Sequence, residues 1–255
     1  MPYFCCMNRN IFCCLLFSLF LVACDKDKAP DPIVPEVTSS ILVNPVYNGQ
    51  PLFLDSVYTA PNGYKIKVTD ILFYVTKLGY QNNVFAEVGL YDFREKGNLL
   101  LSVNKDHGLF PSLQGNLGVD STYNHQDPSA FPNQSPLNIS NAGTMHWGWN
   151  PGYIFINIEG KADTLIDGVD QLDLSFSYHI GTDAFLQNMN FQNIVWQSPA
   201  ANQHAFYLNL DLYQFFFNPN QPINLNTEYF THSGAGYQAL TQKAASNFLT
   251  ALTPQ

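Results

Sequence analysis

The feature that most restricts the fold is an alternation of apolar and polar residues with a period of two. It runs from Gln171 to Ile180 and again from His204 to Leu212. Side chains of a β-strand point to opposite faces in turn, so this period is typical of antiparallel strands with one buried face. Further strand-like segments, separated by Gly, Pro and Asn, are Ile41–Tyr47, Pro51–Tyr58, Ile66–Leu78, Val84–Tyr91, Leu99–Val103, Leu113–Val119 and Tyr153–Glu159. We predict an all-β fold, an antiparallel β-sandwich.

One helix is predicted at the C-terminus, over Tyr237–Leu249. Leu240, Ala244 and Phe248 recur there every four residues, which is typical of an amphipathic helix on a domain surface. We assign Gln242, Lys243 and Asn247 to its polar side. The longest stretch without periodicity is about 120–142, and loops of this length in compact domains are often functional.

The N-terminus has the organisation of a bacterial lipoprotein signal. Arg9 is followed by an apolar run from Ile11 to Ala23 that is too short for a comfortable membrane span. The run ends in Leu21-Val22-Ala23-Cys24, which resembles the bacterial lipobox. We expect residues 1–23 to be a cleaved signal peptide, 24–38 a lipidated flexible linker and 39–255 one domain. An uncleaved anchor would give nearly the same location, on the periplasmic face or at the outer membrane surface.

Cysteine and charge counts exclude several classes of site. The five cysteines are Cys5, Cys6, Cys13, Cys14 and Cys24. Four of these lie in the expected signal peptide and the fifth is the expected lipidation site, so a disulfide, a thiolate zinc site and a cysteine nucleophile are excluded. The net charge is −9 for the whole chain and becomes −10 when Arg9 is removed. This acidic balance argues against nucleic acid as a partner.

The densest group of aromatic and metal-ligating residues begins at Met145. Two of the three tryptophans, Trp147 and Trp149, lie there beside His146. In extended geometry Met145, Trp147 and Trp149 share one face, and His146 points the other way. Paired tryptophans in a β domain often serve packing alone, and that interpretation stays open here.

The sequence resembles the MbnP-like family of copper-associated bacterial proteins over nearly all of residues 40–255. The most specific piece is Met-x-Trp-x-Trp-x-x-Gly-Tyr, which begins at Met145 and is followed by Glu159-Gly160. Weaker pieces in the matching order are Tyr64-Lys65-Ile66, Val75-Thr76-Lys77, Gly118-Val119-Asp120-Ser121, His179-Ile180-Gly181 and Asn247-Phe248. The resemblance implies a β-sandwich.

The resemblance also implies copper, bound by two histidines and by a tryptophan that is oxidised to kynurenine. The oxidant would be a partner dihaem protein of the cytochrome c peroxidase type. Carried over to this sequence, the ligands are His146 and His179, and the oxidisable residue is Trp147 or Trp149. The Met145 thioether is a soft donor suited to Cu(I). A ligating histidine also needs a partner for its second ring nitrogen, and the nearby carboxylates are Glu159, Asp173 and Asp183.

Several alternatives stay open. His204 is a rival for the second histidine ligand, whereas loop or turn roles are favoured for His107, His125 and His232. A second candidate function is a metal-free module that holds a glycan or peptide on exposed aromatics such as Tyr153 or Trp196. No nucleophile elbow, zinc-protease motif or phosphate loop occurs, so we expect no enzymatic activity.

Overall fold

The computed structural model describes residues 36–148 and 152–255. Its strands are β1 (Thr38–Tyr47), β2 (Gln50–Pro51), β3 (Val57–Thr59), β4 (Lys65–Tyr80), β5 (Asn83–Asp92), β6 (Leu99–Val103), β7 (Leu113–Leu117), β8 (Ile154–Asp163), β9 (Leu174–Gly181), β10 (Gln187–Phe191), β11 (Gln197–Ala200), β12 (Gln203–Asp211), β13 (Phe230–Thr231) and β14 (Leu252–Pro254). Its α-helices are α1 (Phe93–Lys96), α2 (Ser121–Asn124), α3 (Ile139–Ala142), α4 (Leu212–Phe216) and α5 (Gln238–Ala251). The predicted signal peptide, the lipidation site Cys24, most of the linker and Trp149 lie outside the described residues.

The strands form two sheets. In the first sheet β1 and β12 lie side by side, β2 and β6 extend β1, and β11 and β14 extend β12. In the second sheet the order is β10-β7-β4-β8-β9-β13, and β3 and β5 also pair with β4. The all-β prediction is therefore confirmed. The sheets are mixed rather than purely antiparallel, because β1 runs parallel to β12 and β13 runs parallel to β9.

One hydrophobic core joins the two sheets. The alternating residues of β12 point into it as predicted: Phe206, Leu208 and Leu210 are buried. In β9, Phe176 and Tyr178 face the core, whereas Ser177 and His179 lie on the opposite face. β8 is buried on both faces, because Phe155 and Asn157 are buried as well as Ile154, Ile156 and Ile158. This strand lies in the middle of its sheet and is covered on both sides.

The C-terminal helix is confirmed. Phe248 of α5 packs against Phe73 of β4, with ring centroids 5.2 Å apart. Asn247, which the sequence placed on the polar face, is buried, and its amide donates to the carbonyl oxygens of Phe215 and Gln221. Its Oδ1 is buried without a hydrogen-bond partner, but the two bonds of the amide nitrogen attach α5 to α4 and to the loop after it.

Two predicted segments differ in the structure. Pro51–Tyr58 is interrupted, because Asp55 adopts a positive φ of 64° between β2 and β3. The region from about 120 to 142 contains three one-turn helices rather than irregular chain. The side chains of Asp120, Asp127 and Asn138 each accept a backbone N–H at the start of one of these helices, which is the capping chemistry that Asp and Asn favour.

Within the described ranges, no helix has the length and apolarity needed to cross a membrane.

Candidate metal site

In the tryptophan motif, residues 145–147 pair antiparallel with residues 152–154 on the N-terminal side of β8, and we call these two paired segments the hairpin. The amide of Ile154 donates to the carbonyl of Met145, and the amide of Trp147 donates to the carbonyl of Gly152, both at 2.9 Å. Gly152 has a φ of +94°, and a Cβ atom there would collide with Asn124. A glycine is required at this position, since the hairpin lies directly on α2.

Asn124 fixes the hairpin from the α2 side. Its side-chain oxygen accepts the amide of Tyr153 at 2.9 Å, and its side-chain nitrogen donates to Asp183 at 2.8 Å. The other oxygen of Asp183 contacts the ring of His125 at 2.9 Å. Asp183 was considered as a partner for a ligating histidine. Its two oxygens instead bind Asn124 and His125, so it stabilises the loop that carries these residues.

The Trp147 ring lies against the backbone of Gly181, at the end of β9. A Cβ atom at Gly181 would lie 2.5 Å from Cζ3 and 2.7 Å from Cη2 of Trp147. Side chains two residues apart on a strand share a face, and His179 precedes Gly181 by two residues. The structure therefore brings Trp147 and His179 to the same face of the second sheet.

His179 is held by a carboxylate. Its Nε2 lies 2.7 Å from Oε1 of Glu159 and 3.0 Å from Oγ of Ser177. The side chain is 16% exposed, so the contact with Glu159 is partly shielded from water. Ser177 and Glu159 meet the same ring nitrogen, so these three residues do not form a serine–histidine–acid relay, which uses both nitrogens of the imidazole.

A second histidine stacks on His179. The rings of His179 and His232 have centroids 4.4 Å apart and are inclined by only 10°. The ring of His232 also contacts that of Phe230, with centroids 4.4 Å apart. Burial and then the neighbouring His179 lower the pKa of His232, against a smaller opposite effect of Glu159. A lowered pKa keeps the imidazole neutral at neutral pH, which is the form that binds metals.

The sequence analysis assigned His232 to a turn, whereas the structure stacks its ring on His179. The position depends on the parallel pairing of β13 with β9, in which Thr231 lies opposite Tyr178. A two-residue strand has no periodicity to reveal such pairing.

The remaining predicted ligands lie differently. The ring of His146 packs against Tyr153 with centroids 4.6 Å apart, its Nδ1 accepts the amide of Gly148, and burial lowers its pKa. Among the described residues, no hydrogen bond or ring contact joins His146 to His179. Met145 is fully buried in the core.

The rival ligand His204 belongs to another histidine pair. Its ring stacks on His107 at a centroid distance of 3.6 Å and an inclination of 25°, and its Nδ1 lies 3.0 Å from Oγ of Ser198. Nδ1 of His107 is buried without a hydrogen bond, although Asp106 lies at 3.4 Å, because the geometry of that contact is unsuitable. Trp196, next to His107, donates its indole N–H to the carbonyl of Phe110.

Within residues 36–148 and 152–255, no group of three or more His, Cys, Asp or Glu side chains is arranged to hold a metal ion. The site of two histidines and a modified tryptophan that the sequence resemblance implies would not need such a group. Of the two predicted histidine ligands, His179 shares a face with Trp147, and its ring is stacked on His232.

These observations define a class of protein: a two-sheet β domain with a histidine pair and a tryptophan on one outer face. The family model for MbnP matches residues 36–235, and the chain belongs to the MbnP family. Among solved structures it is similar to MbnP from Methylosinus trichosporium, with 17% identity, 79% of this chain and 82% of that chain covered, and a TM-score of 0.47. No curated protein matches the chain.

Proposed function

We propose that this protein is a non-enzymatic copper-binding lipoprotein of the cell envelope, with His179 and a group derived from Trp147 among its ligands. The observation that carries the proposal is the Trp147 ring lying on Gly181, two residues from His179. Family membership supports it, through the copper chemistry that the sequence resemblance implies. The lipid anchor on Cys24 and removal of residues 1–23 are part of the proposal.

The surroundings of His179 suit a copper ligand. Metal-binding histidines usually have their second ring nitrogen bonded to a carboxylate or carbonyl, which fixes the ring and raises its basicity. Glu159 occupies one nitrogen of His179 at 2.7 Å, and no described residue hydrogen-bonds the other. That free nitrogen is available for an ion.

An unmodified indole is a poor metal ligand, so the proposal includes oxidation of Trp147. Two molecules of peroxide, reduced to water at the haem of a dihaem partner, would supply the four-electron oxidation that cleaves the C2–C3 bond and gives N-formylkynurenine. Hydrolysis of the formamide by one water then releases C2 as formate and leaves kynurenine. The aniline nitrogen and ketone that result can both donate to copper.

Mass spectrometry of the protein from its own host tests the tryptophan. Trypsin releases both tryptophans of the motif in the peptide Asp106–Lys161, and fragmentation distinguishes Trp147 from Trp149. We expect kynurenine at Trp147. An unmodified Trp147 in copper-loaded protein would contradict this part of the proposal.

Metal analysis of His179→Ala tests the ligand. We expect copper affinity to fall by about 100-fold or more. His204→Ala is the matched control, because His204 also belongs to a stacked pair beside a tryptophan, and it should bind copper normally. Equal copper content in wild type and His179→Ala would contradict the assignment of His179 as a copper ligand.

A second candidate function, glycan binding without metal, is supported by a groove of about 560 Å³ on the second sheet. Six side-chain amides line it, from Gln81, Asn83, Gln114, Asn116, Asn188 and Asn190. Asn188 pairs with Asn116 and Asn190 with Gln114 across β10 and β7. Amides offer a donor and an acceptor together, which suits neighbouring hydroxyl groups.

The aromatics first considered for this function are unsuitable. Tyr153 is fully buried, and Trp196 packs against Phe85 and Phe206. Calorimetry with neutral oligosaccharides would test the groove: binding should weaken in Gln114→Ala and be unchanged in His179→Ala. Absence of binding to wild type would dismiss the glycan function.

A further inference from the structure

Exposed apolar side chains lie at the end of the domain where the chain enters β1. We propose that this end rests on a lipid bilayer through four residues that we call the apolar patch: Val84, Leu109, Pro111 and Val195. All four are exposed, and Val195 is 70% exposed. The inference rests on the part of the proposed function that anchors Cys24 in a membrane. It adds a surface by which the folded domain itself meets that membrane.

The four residues of the patch surround one group of packed rings. Each of them is next in sequence to one of three rings, those of Phe85, Phe110 and Trp196. The ring centroid of Phe85 lies 4.9 Å from that of Phe110 and 5.7 Å from that of Trp196. The amide of Ile194 also donates to the carbonyl of Pro111 at 3.0 Å. The exposed residues are therefore grouped, and a grouped apolar surface indicates an interaction site, whereas scattered apolar residues do not.

The chain enters the domain beside this patch. Nδ2 of Asn104 donates to the carboxylate of Glu36 at 2.8 Å. One turn of chain further on, Oγ of Ser39 donates to the carbonyl of Lys105 at 2.6 Å. Nζ of Lys105 in turn donates to the carbonyl of Val84, which belongs to the patch. The segment that follows Cys24 therefore joins the domain within two residue contacts of the patch.

The length of that segment decides which end of the domain can reach a bilayer that holds Cys24. Glu36 is 12 positions after Cys24, and a fully extended chain of that length spans at most about 43 Å. The domain is longer than this along β4, whose 16 residues span roughly 50 Å. Near its C-terminal end β4 pairs with Val84, and at its first residue it pairs with Asp163. The patch is within reach of the bilayer, and the end at Asp163 is not when β4 stands upright on the membrane.

The far end carries an apolar surface of its own, which makes it a matched control. The loop after β8 exposes Leu165, Ile166 and Val169 by 62–73%. Exposure alone would rank this loop above the patch as a membrane contact. Only the point of chain entry and the reach of the linker favour the patch, so a comparison of the two ends tests that argument directly.

Charge opposes contact with anionic lipids. The net charge of the chain is −9, and the negative potential of an anionic membrane repels such a domain within about one Debye length, roughly 8–10 Å. Glu36 and Asp106 lie beside the patch as well as Lys105, so the patch offers no basic cluster to anionic headgroups. We therefore expect contact by apolar burial, strongest on zwitterionic lipids. Added phosphatidylglycerol should weaken the contact, and salt should restore it.

The experiment measures the depth of a fluorophore in lipid. Mature, lipidated protein from its own host is reconstituted in vesicles of phosphatidylethanolamine and phosphatidylcholine. Val84→Cys, Leu109→Cys and Val195→Cys are each labelled with nitrobenzoxadiazole and compared with Ile166→Cys, and circular dichroism verifies that each variant is folded. We expect emission from the three patch positions to shift to the blue and to be quenched by brominated phospholipid. Emission from Ile166→Cys should show neither change.

A charged variant tests whether the contact is apolar. With the label at Val84→Cys, the further changes Leu109→Asp and Val195→Asp should abolish quenching, while the protein still sediments with the vesicles through its lipid. Quenching that persists in this variant would contradict the inference.

The outcomes separate the inference from the proposed function. If the protein carries no diacylglycerol by mass and does not sediment with vesicles, the proposed anchor fails and the inference fails with it. If the protein is lipidated and sediments, but the patch labels remain in water, the inference is wrong and the anchor stands. Quenching at Ile166→Cys instead of the patch would overturn the inference as well. Copper binding is independent of all these results.

Discussion

The molecule contains two stacked histidine pairs, each beside a tryptophan, and they differ in what surrounds them. His179 and His232 have a carboxylate at 2.7 Å from one ring, and Trp147 lies on the adjacent Gly181 backbone. His107 and His204 are packed more tightly, at 3.6 Å.

The tryptophans show the same difference. The N–H of Trp196 is bonded to the carbonyl of Phe110, and its ring contacts Phe85 and Phe206. No described residue accepts a hydrogen bond from the Trp147 indole. Both rings are partly buried against the core, so the hydrogen bond of the indole N–H, and not packing, distinguishes the two tryptophans.

The largest effect is expected from Gly181→Ala. The new Cβ would collide with the Trp147 ring and with the carbonyl oxygen of Tyr153, at 2.5 and 2.6 Å. Overpacking of this kind destabilises by about 3 kcal/mol and should displace the indole. Urea unfolding and copper titration measure the two effects. Gly234→Ala is the control, since nothing lies within 4 Å of a Cβ there, and equal behaviour of the two variants would contradict the described contact.

The second prediction compares the tryptophans. Trp196→Phe removes a hydrogen bond and part of a packed ring, so we expect a loss of about 2 kcal/mol in the free energy of unfolding. Its copper affinity should be unchanged. Trp147→Phe should also lose stability, since its ring packs against the core, but it should in addition prevent kynurenine formation and weaken copper binding. Denaturant unfolding and copper titration of both variants measure these effects. Weaker copper binding by Trp196→Phe would contradict the proposed difference between the two histidine pairs.

The third prediction concerns Glu228, which lies just before β13. Burial raises the pKa of Glu228, but hydrogen bonds from Lys243 and from the Asn224 backbone outweigh it, so that the pKa lies below its ordinary value of 4.5. Nζ of Lys243 lies 2.6 Å from the Glu228 carboxylate. We expect Glu228→Gln to cost about 1 kcal/mol at neutral pH.

The sign of the pH dependence follows from linkage. A carboxylate with a lowered native pKa stabilises fully above its unfolded pKa and loses that contribution as pH falls through the native value. The difference between wild type and Glu228→Gln should therefore be constant above pH 4.5 and shrink below it. Unfolding curves measured across this range provide the check, and a difference that grows on acidification would refute the prediction.

Much of the fold could be predicted because it is recorded in local pattern. The alternation in β9 and β12 identified the buried faces, and the four-residue period identified α5. The parallel pairing of β1 with β12 joins residues more than 160 positions apart, and no local pattern records such an approach. The same holds for α4, whose neighbouring Phe215 and Phe216 are both buried against α5 and β9 rather than alternating between core and solvent.

For the site, the sequence indicated candidate residues but not which side chains contact each other. The resemblance implied His146 and His179 as ligands and Trp147 or Trp149 as the oxidisable residue; the structure brings Trp147 and His179 to one face of the second sheet. Three carboxylates were open as partners for a ligating histidine; strand register selects Glu159, while Asp183 bonds to His125. The contact of His232 with His179 could not be predicted from the sequence, because it depends on the pairing of β13 with β9. A strand of two residues shows no periodicity.

The most direct measurement is anomalous diffraction at the copper absorption edge from crystals of the copper-loaded protein. We expect one strong peak within bonding distance of a His179 ring nitrogen, beside the modified Trp147. A peak next to His107 and His204, or none at His179 in protein that carries copper, would contradict it.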